Sequence, residues 1–298
     1  MRALAAVTTT ALALATLTAC GGDASGEGSV DCADAPEVTV TDNGSSPRTE
    51  LRLSPKQGDT VKLDLELDMD LSMEADGSSV PTGSVPTITM GMVATVESAT
   101  DDEIEMSFEY DTVDAGGDPT VESTLRTIIG TSGTITTDAR GVYVDGDIEP
   151  APGMDPTMES TLQQLEQQFA NMTVPLPDVA IGQGAIWEVE TPVEFNGLET
   201  CNTYTYTLDE LDGAAYTLGV EIDQQMAPGT VEQNGVEAKL TEGSSSGSGT
   251  THGNLDLPLA VSGTSDLDSA TTMEVDQGGD TQEIKTDIGM NLTIAERE

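Results

Sequence analysis

The sequence predicts an α+β protein: a long, curved antiparallel β-sheet, half-barrel-like, packed on one or two helices. Two observations carry this. Apolar and polar residues alternate strictly in many segments from Val61 to Ile294, which is the period of strands with one buried face. Helical spacing appears only at 119–129 and 155–172, so helices are inserted among hairpins instead of alternating with strands.

The start of the chain reads as a processing signal. Arg2 gives a positive n-region, 3–16 is an uncharged Ala/Leu/Thr stretch, and Leu17-Thr18-Ala19-Cys20 has the form of a bacterial lipobox. The alternative is an ordinary signal peptide with a chance cysteine. On the lipobox reading, 1–19 is removed and Cys20 carries the lipid. Residues 20–48, rich in Gly, Ser, Asp and Ala, form a flexible tether, and 49–298 form a single strand-rich globular domain. No later stretch is long and apolar enough to span a bilayer. The expected location is the extracytoplasmic face of the cell membrane, held by lipid. Two cysteines remain, Cys32 and Cys201. Outside the cytoplasm two leftover thiols pair, although one or both can stay free.

In 61–73, Val61, Leu63, Leu65, Leu67, Met69, Leu71 and Met73 alternate with polar, mostly acidic residues, which predicts one long strand ended by Asp76-Gly77. Ile88, Met90, Met92, Ala94 and Val96 form the next apolar face. Ile104, Met106, Phe108 and Tyr110 return as its hairpin partner after Asp101-Asp102. A helix over 119–129 and short strands at 134–137 and 142–144 follow. The second helix, with Asp155 as cap and Pro156 at its first position, carries the stripe Met158, Leu162, Leu165, Phe169 and Met172. Strands are then expected at 185–189, 203–208, 216–222, 236–240, 255–261, 270–275 and 284–294. The Gly/Ser/Thr run 243–253 is expected to be a mobile loop.

The formal charge is −44, from 54 acidic and 10 basic residues. Such a surface repels phosphate backbones and excludes nucleic acid as a partner. No calcium loop of the helix–loop–helix type is present, and no metal or cofactor is expected. A catalytic constellation is also missing. The one histidine, His252, lies in the expected loop. Gly243-Ser244-Ser245-Ser246-Gly247 matches a nucleophile elbow only formally, in low-complexity sequence without the strand and helix it needs. The expected protein is therefore not an enzyme.

Aromatics make up 3 % of the chain, and 12 methionines stand in for them. Methionine fills irregular space and adapts to varied partners. Met69, Met73, Met90, Met92, Met106 and Met290, with Leu162, Leu165 and Phe169, would line a cavity for a lipid or other apolar ligand. The competing expectation is a plain core. A second possibility for function is an acidic structural or interaction domain that meets an envelope protein partner without a ligand.

The stretch Pro175-Leu176-Pro177-Asp178-Val179-Ala180-Ile181-Gly182-Gln183-Gly184-Ala185-Ile186-Trp187, with Lys56-Gln57-Gly58-Asp59 opening the first strand, resembles a family of actinobacterial cell-envelope lipoproteins of unassigned function. The resemblance spans about residues 50–295 and implies structural roles: Gly182 and Gly184 for a turn, Trp187 for core. At fold level the expected architecture is similar to the LolA and LppX/LprG class, in which a curved sheet wraps helices around a lipid cavity. It implies no catalytic residue.

The lipobox generates the first prediction. Replacing Cys20 with Ala removes the acceptor thiol, so the protein should lose its partition into detergent while its fold survives. Phase partitioning with intact-mass measurement checks this. A wild-type mature protein that stays in water and begins elsewhere than Cys20 would contradict it.

Overall fold

Strict alternation becomes one antiparallel sheet in the computed structural model, which describes residues 30–33, 36–152, 173–195, 198–233, 236–277 and 280–297. The expected signal peptide, Cys20 and the second helix with Leu162, Leu165 and Phe169 lie outside them. The strands are β1 (Glu37–Asp42), β2 (Thr60–Ala75), β3 (Ser78–Val80), β4 (Ile88–Ala99), β5 (Glu103–Asp114), β6 (Ser132–Asp138) and β7 (Tyr143–Glu149). After these come β8 (Ile186–Phe195), β9 (Leu198–Asp212), β10 (Ala215–Met226), β11 (Gly229–Gln233), β12 (Val236–Asn254), β13 (Ser262–Gln277) and β14 (Asp280–Glu296). Their order is β1-β8-β9-β10-β12-β13-β14-β2-β4-β5-β6-β7, with β11 on β12 and β3 on β2. One short helix, α1 (Pro119–Leu125), is present among the described residues. Asp118 caps it by accepting from the Thr120 and Val121 amides, and Pro119 opens it.

The last strand joins the two halves. β14 pairs with β2 from Ile284↔Ala75 to Glu296↔Leu63, so the N-terminal meander and the C-terminal one become a single sheet. Arg297 locks this seam. Its guanidinium donates to both Asp111 carboxylate oxygens at 2.7 Å and lies 3.5 Å from Asp64, crossing β4 over Gly91.

Two apolar clusters lie under the concave face. One joins Val61, Leu63 and Leu65 to Met92, Met106, Phe108 and Ile135. The other gathers Trp187, Tyr206, Leu208 and Leu218 around Leu51, Leu176 and Ile181. Irregular segments close this end of the sheet. The Leu53 amide donates to the Ala139 carbonyl, Ser54 to Leu255 and Leu176 to Arg140. Gly44 and Gly182 let two of these segments touch, since a Cβ on Gly182 would stand 1.9 Å from the Ser45 carbonyl oxygen. At the opposite, open end β4 leaves β2 at Leu67↔Ile88, and β2 continues to Ala75 with, among the described residues, only β3 beside it on that edge.

Several expectations are corrected. The run 243–253 is not a loop but the body of β12, paired with β10 on one side and β13 on the other. Two ladders supply its hydrogen bonds, which overrides the weak strand propensity of Gly and Ser. Residues 255–261 are not a strand; they form the turn between β12 and β13 that carries Leu257 and Leu259 into the core. The segment 20–48 is not tether throughout, because 37–42 is β1, paired with β8.

The close approach of β12 to β13 depends on glycine. A Cβ on Gly247 would lie 2.2 Å from the Asp266 carbonyl oxygen, and one on Gly249 2.4 Å from that of Thr264. Gly247→Val should therefore destabilise the fold by about 2 kcal/mol or more, whereas Ser246→Ala on the outward face should stay within ~0.5 kcal/mol. Urea melts of the two variants test this; equal midpoints would contradict it.

Candidate functional site

Alternation sorts the side chains of the central strands by charge. The concave positions of β2 from Leu65 to Ala75 are Leu, Leu, Met, Leu, Met and Ala. Those of β14 facing them run Ile294, Leu292, Met290, Ile288, Thr286 and Ile284. β13 adds Leu267, Ser269, Thr271, Met273 and Val275, and β12 adds small residues, among them Ser245, Gly247 and Gly249. On β9 and β10, Tyr204, Tyr206, Leu208, Leu218, Val220 and Ile222 continue the face. Across these segments no concave position holds Asp, Glu, Lys, Arg or His. The acids Glu66, Asp68, Asp70, Asp266, Asp268 and Asp287 all fall on the outward register.

Burial divides the concave face in two. Near the closed end it is packed core: Met92 and Met106 are each 1 % exposed. They are core and not the expected cavity lining, because Phe108, Ile135 and Leu259 share one buried cluster with them. Met90 packs partly buried against the same cluster. Toward the open end Leu67, Met69, Leu71, Met73, Ile284, Ile288 and Met290 are only half-buried.

One rung of this face is polar. Asn202, Gln224, Ser245, Ser269, Ile288 and Leu71 are successive neighbours across six strands. Gln224 Nε2 donates to Asn202 Oδ1 at 2.7 Å, and Ser245 Oγ donates to Gln224 Oε1 at 2.9 Å. Asn202 and Ser245 are buried. The rung thus changes from hydrogen-bonded polar groups on β9, β10 and β12 to apolar groups on β14 and β2. The sequence alone does not show it, because 243–253 is a Gly/Ser/Thr run that reads as a loop. The signal was the recurrence of Gly243, Gly247, Gly249 and Gly253 at odd positions, a period-two pattern written in small residues.

Other expected features resolve as follows. His252 is in β12, its Nδ1 3.0 Å from Thr217 Oγ1, not in a mobile loop. Cys32 and Cys201 form a disulfide, with Cα atoms 5.6 Å apart. Glu190 stands beside it and accepts from the Ala33 amide at 3.2 Å. These three residues are a cluster of metal-ligand type, but the sulfurs are bonded to each other and so are not free thiolates. Trp187 is fully buried, donates to the Pro175 carbonyl at 2.9 Å and stacks on Tyr206 with centroids 5.4 Å apart. A recess of about 610 Å³ lies on the outward face, lined by Asp70, Asp268, Asp287, Ser72, Ser244 and Ser246 among others. A second, of about 340 Å³, lies over β4–β7.

Residues 157–257 match the model of a family of unknown function (DUF6263). The match covers β8 to β12 and so includes Asn202, Gln224 and Ser245. No curated protein matches the chain. No helix among the described residues is long and apolar enough to cross a membrane.

The ionisable groups within the concave core are tyrosines. Burial pushes the Tyr110 and Tyr216 hydroxyls up to about 12. Burial also raises Tyr206, with the neighbouring Tyr204 and Tyr216 adding to it, and raises Tyr204 itself. Above pH 10 an unfolded chain loses tyrosine protons that the native chain keeps, so stability should fall as pH rises from about 10 to 12. Alkali should unfold the protein, and the tyrosinate absorbance of these residues should appear together with loss of strand circular dichroism. Tyrosines that all titrate near pH 10 with the sheet intact would contradict this.

Proposed function

We propose that this chain is a lipid-anchored, extracytoplasmic, non-enzymatic binding protein that holds a lipid or other uncharged apolar ligand against the concave face. The single observation that supports it most is charge sorting. In a chain of formal charge −44, the open part of the concave face carries no carboxylate, and its Leu, Met and Ile side chains are only half-buried. Acyl chains fit such a strip, since each buried methylene contributes about 0.8 kcal/mol. On the polar rung Gln224 and Ser269 are part-exposed, and they fit a head with neutral hydrogen-bonding groups such as hydroxyls or amides, because a charge placed there would lack a counter-ion. The lipobox supports the anchor. The likeness to actinobacterial envelope lipoproteins and to the LolA and LppX/LprG architecture agrees with the same reading.

A second reading is an acidic interaction domain. The outward recess with Asp70, Asp268 and Asp287 favours a basic protein partner there.

Native mass spectrometry of full-length protein purified from its own membrane separates the two. The ligand reading predicts a bound neutral mass in the wild type and at least a tenfold lower occupancy in Met290→Glu, which places a carboxylate on the strip. A bare wild-type mass, with every concave side chain met by the chain itself, would overturn it and leave the acidic face as the functional surface.

A further inference from the structure

We infer that Gln224 selects the head of the bound ligand. It takes a head with a hydrogen-bond donor and an acceptor side by side on one edge, as a primary amide or an un-ionised carboxylic acid has at the end of an acyl chain. The inference rests on the proposed apolar ligand of the concave face and names its head.

A carboxamide offers two donor and two acceptor sites in one plane. Gln224 uses one of each within the sheet. Its Nε2 donates to Asn202 Oδ1 on β9, and its Oε1 accepts from Ser245 Oγ on β12, the strands on either side of β10. Both partners are shorter side chains, so their polar atoms lie nearer the sheet than the Gln224 amide. These two bonds therefore run sideways and inward, and they take the amide sites that point back toward the sheet. Among the described residues, one N–H and one oxygen lone pair of Gln224 stay without a partner. On a planar amide these two sites are neighbours, on the edge turned away from the sheet. Burial agrees: Asn202 and Ser245 are 6 % and 3 % exposed, whereas Gln224 is only half-buried.

A head with a donor and an acceptor on one edge closes two parallel bonds with Gln224. An ester brings acceptors alone, an alcohol brings both functions on one atom, and a trans secondary amide points its N–H and C=O to opposite sides, so each closes one. A carboxylate would set an acceptor against Oε1. No Asp, Glu, Lys, Arg or His stands on the concave register of this rung, or of the rungs beside it, on β9, β10, β12, β13, β14 and β2. Tyr204 is the titratable group there, and burial raises its pKa, so it stays neutral. The rung turns apolar at Ile288 and Leu71. Leu71 on β2 lies four strands from Gln224, or ~19 Å at ordinary strand spacing, which sets the half-buried strip where the acyl chain of such a head would run.

Equilibrium dialysis of the delipidated full-length protein tests this with decanamide, decanoic acid, decanol and methyl decanoate. Decanamide should bind about tenfold more tightly than decanol or the ester, since it makes one more net hydrogen bond, and equally at about pH 5 and about pH 8. Decanoic acid should approach it at the lower pH and lose affinity at the higher, where the head is ionised. Gln224→Met keeps the length of the side chain and removes the edge, so it should erase the preference. The wild-type ranking of the four probes decides even where that variant does not fold. Equal affinity for amide, alcohol and ester, a preference for the alcohol or the ester, or a preference for the amide that survives in Gln224→Met overturns this inference alone. Binding of none of the four overturns the ligand reading and this inference with it.

Discussion

Sorting of charge between the two faces of one sheet is the constraint on which the rest of the structure depends. A strand places successive side chains on opposite faces, and here acids repeat with the same period as the apolar residues. β2 shows this most plainly: Asp64, Glu66, Asp68 and Asp70 face water while Leu63, Leu65, Leu67 and Met69 face inward. Burying those carboxylates without partners would cost several kcal/mol each. A one-residue slip of β2 against β14 would expose the entire apolar set. The register from Ile284↔Ala75 onward is therefore over-determined.

The other features follow from packing against this face. In β12 a Cβ on Gly247 or Gly249 would strike the β13 backbone, and one on Gly243 or Gly253 the side chain of Met226 or Tyr216. The closed end is sealed by Leu51, Leu53, Leu176, Leu255, Leu257 and Leu259, which come from segments far apart in sequence. The seam between β14 and β2 is fastened by Arg297 on Asp111 and Asp64. The Cys32–Cys201 bridge closes a long loop, and in the chain-entropy account such a closure contributes about 5 kcal/mol. At the open end no comparable plug is present among the described residues, and the half-buried Leu, Met and Ile side chains there are the consequence.

Much of this was legible in the residues. The long strand of 61–73, the 88–110 hairpin, the first helix and the core role of Trp187 follow from period, turn chemistry and packing. The antiparallel, sheet-dominated α+β class follows from their order. What was not legible has physical causes. Gly and Ser carry no hydropathy signal, so the alternation in β12 is silent and its polar rung with it. The leucines of 255–261 alternate as a strand would, yet they serve as a plug. Met92 and Met106 have the same local pattern as Met69 and Met290. Only the strand neighbours across β4, β5 and β6 decide that the first pair is solid core.

That division of the methionines is the most direct test of the account. Limited oxidation converts accessible methionine to sulfoxide, and peptide mass spectrometry reads each site. In delipidated protein, Met69, Met73 and Met290 should oxidise readily while Met92 and Met106 resist. If the proposed ligand is held, all five should resist in protein taken from its own membrane. Equal protection of the five in stripped protein, or equal reactivity of the first three in both preparations, would contradict a ligand-holding concave face.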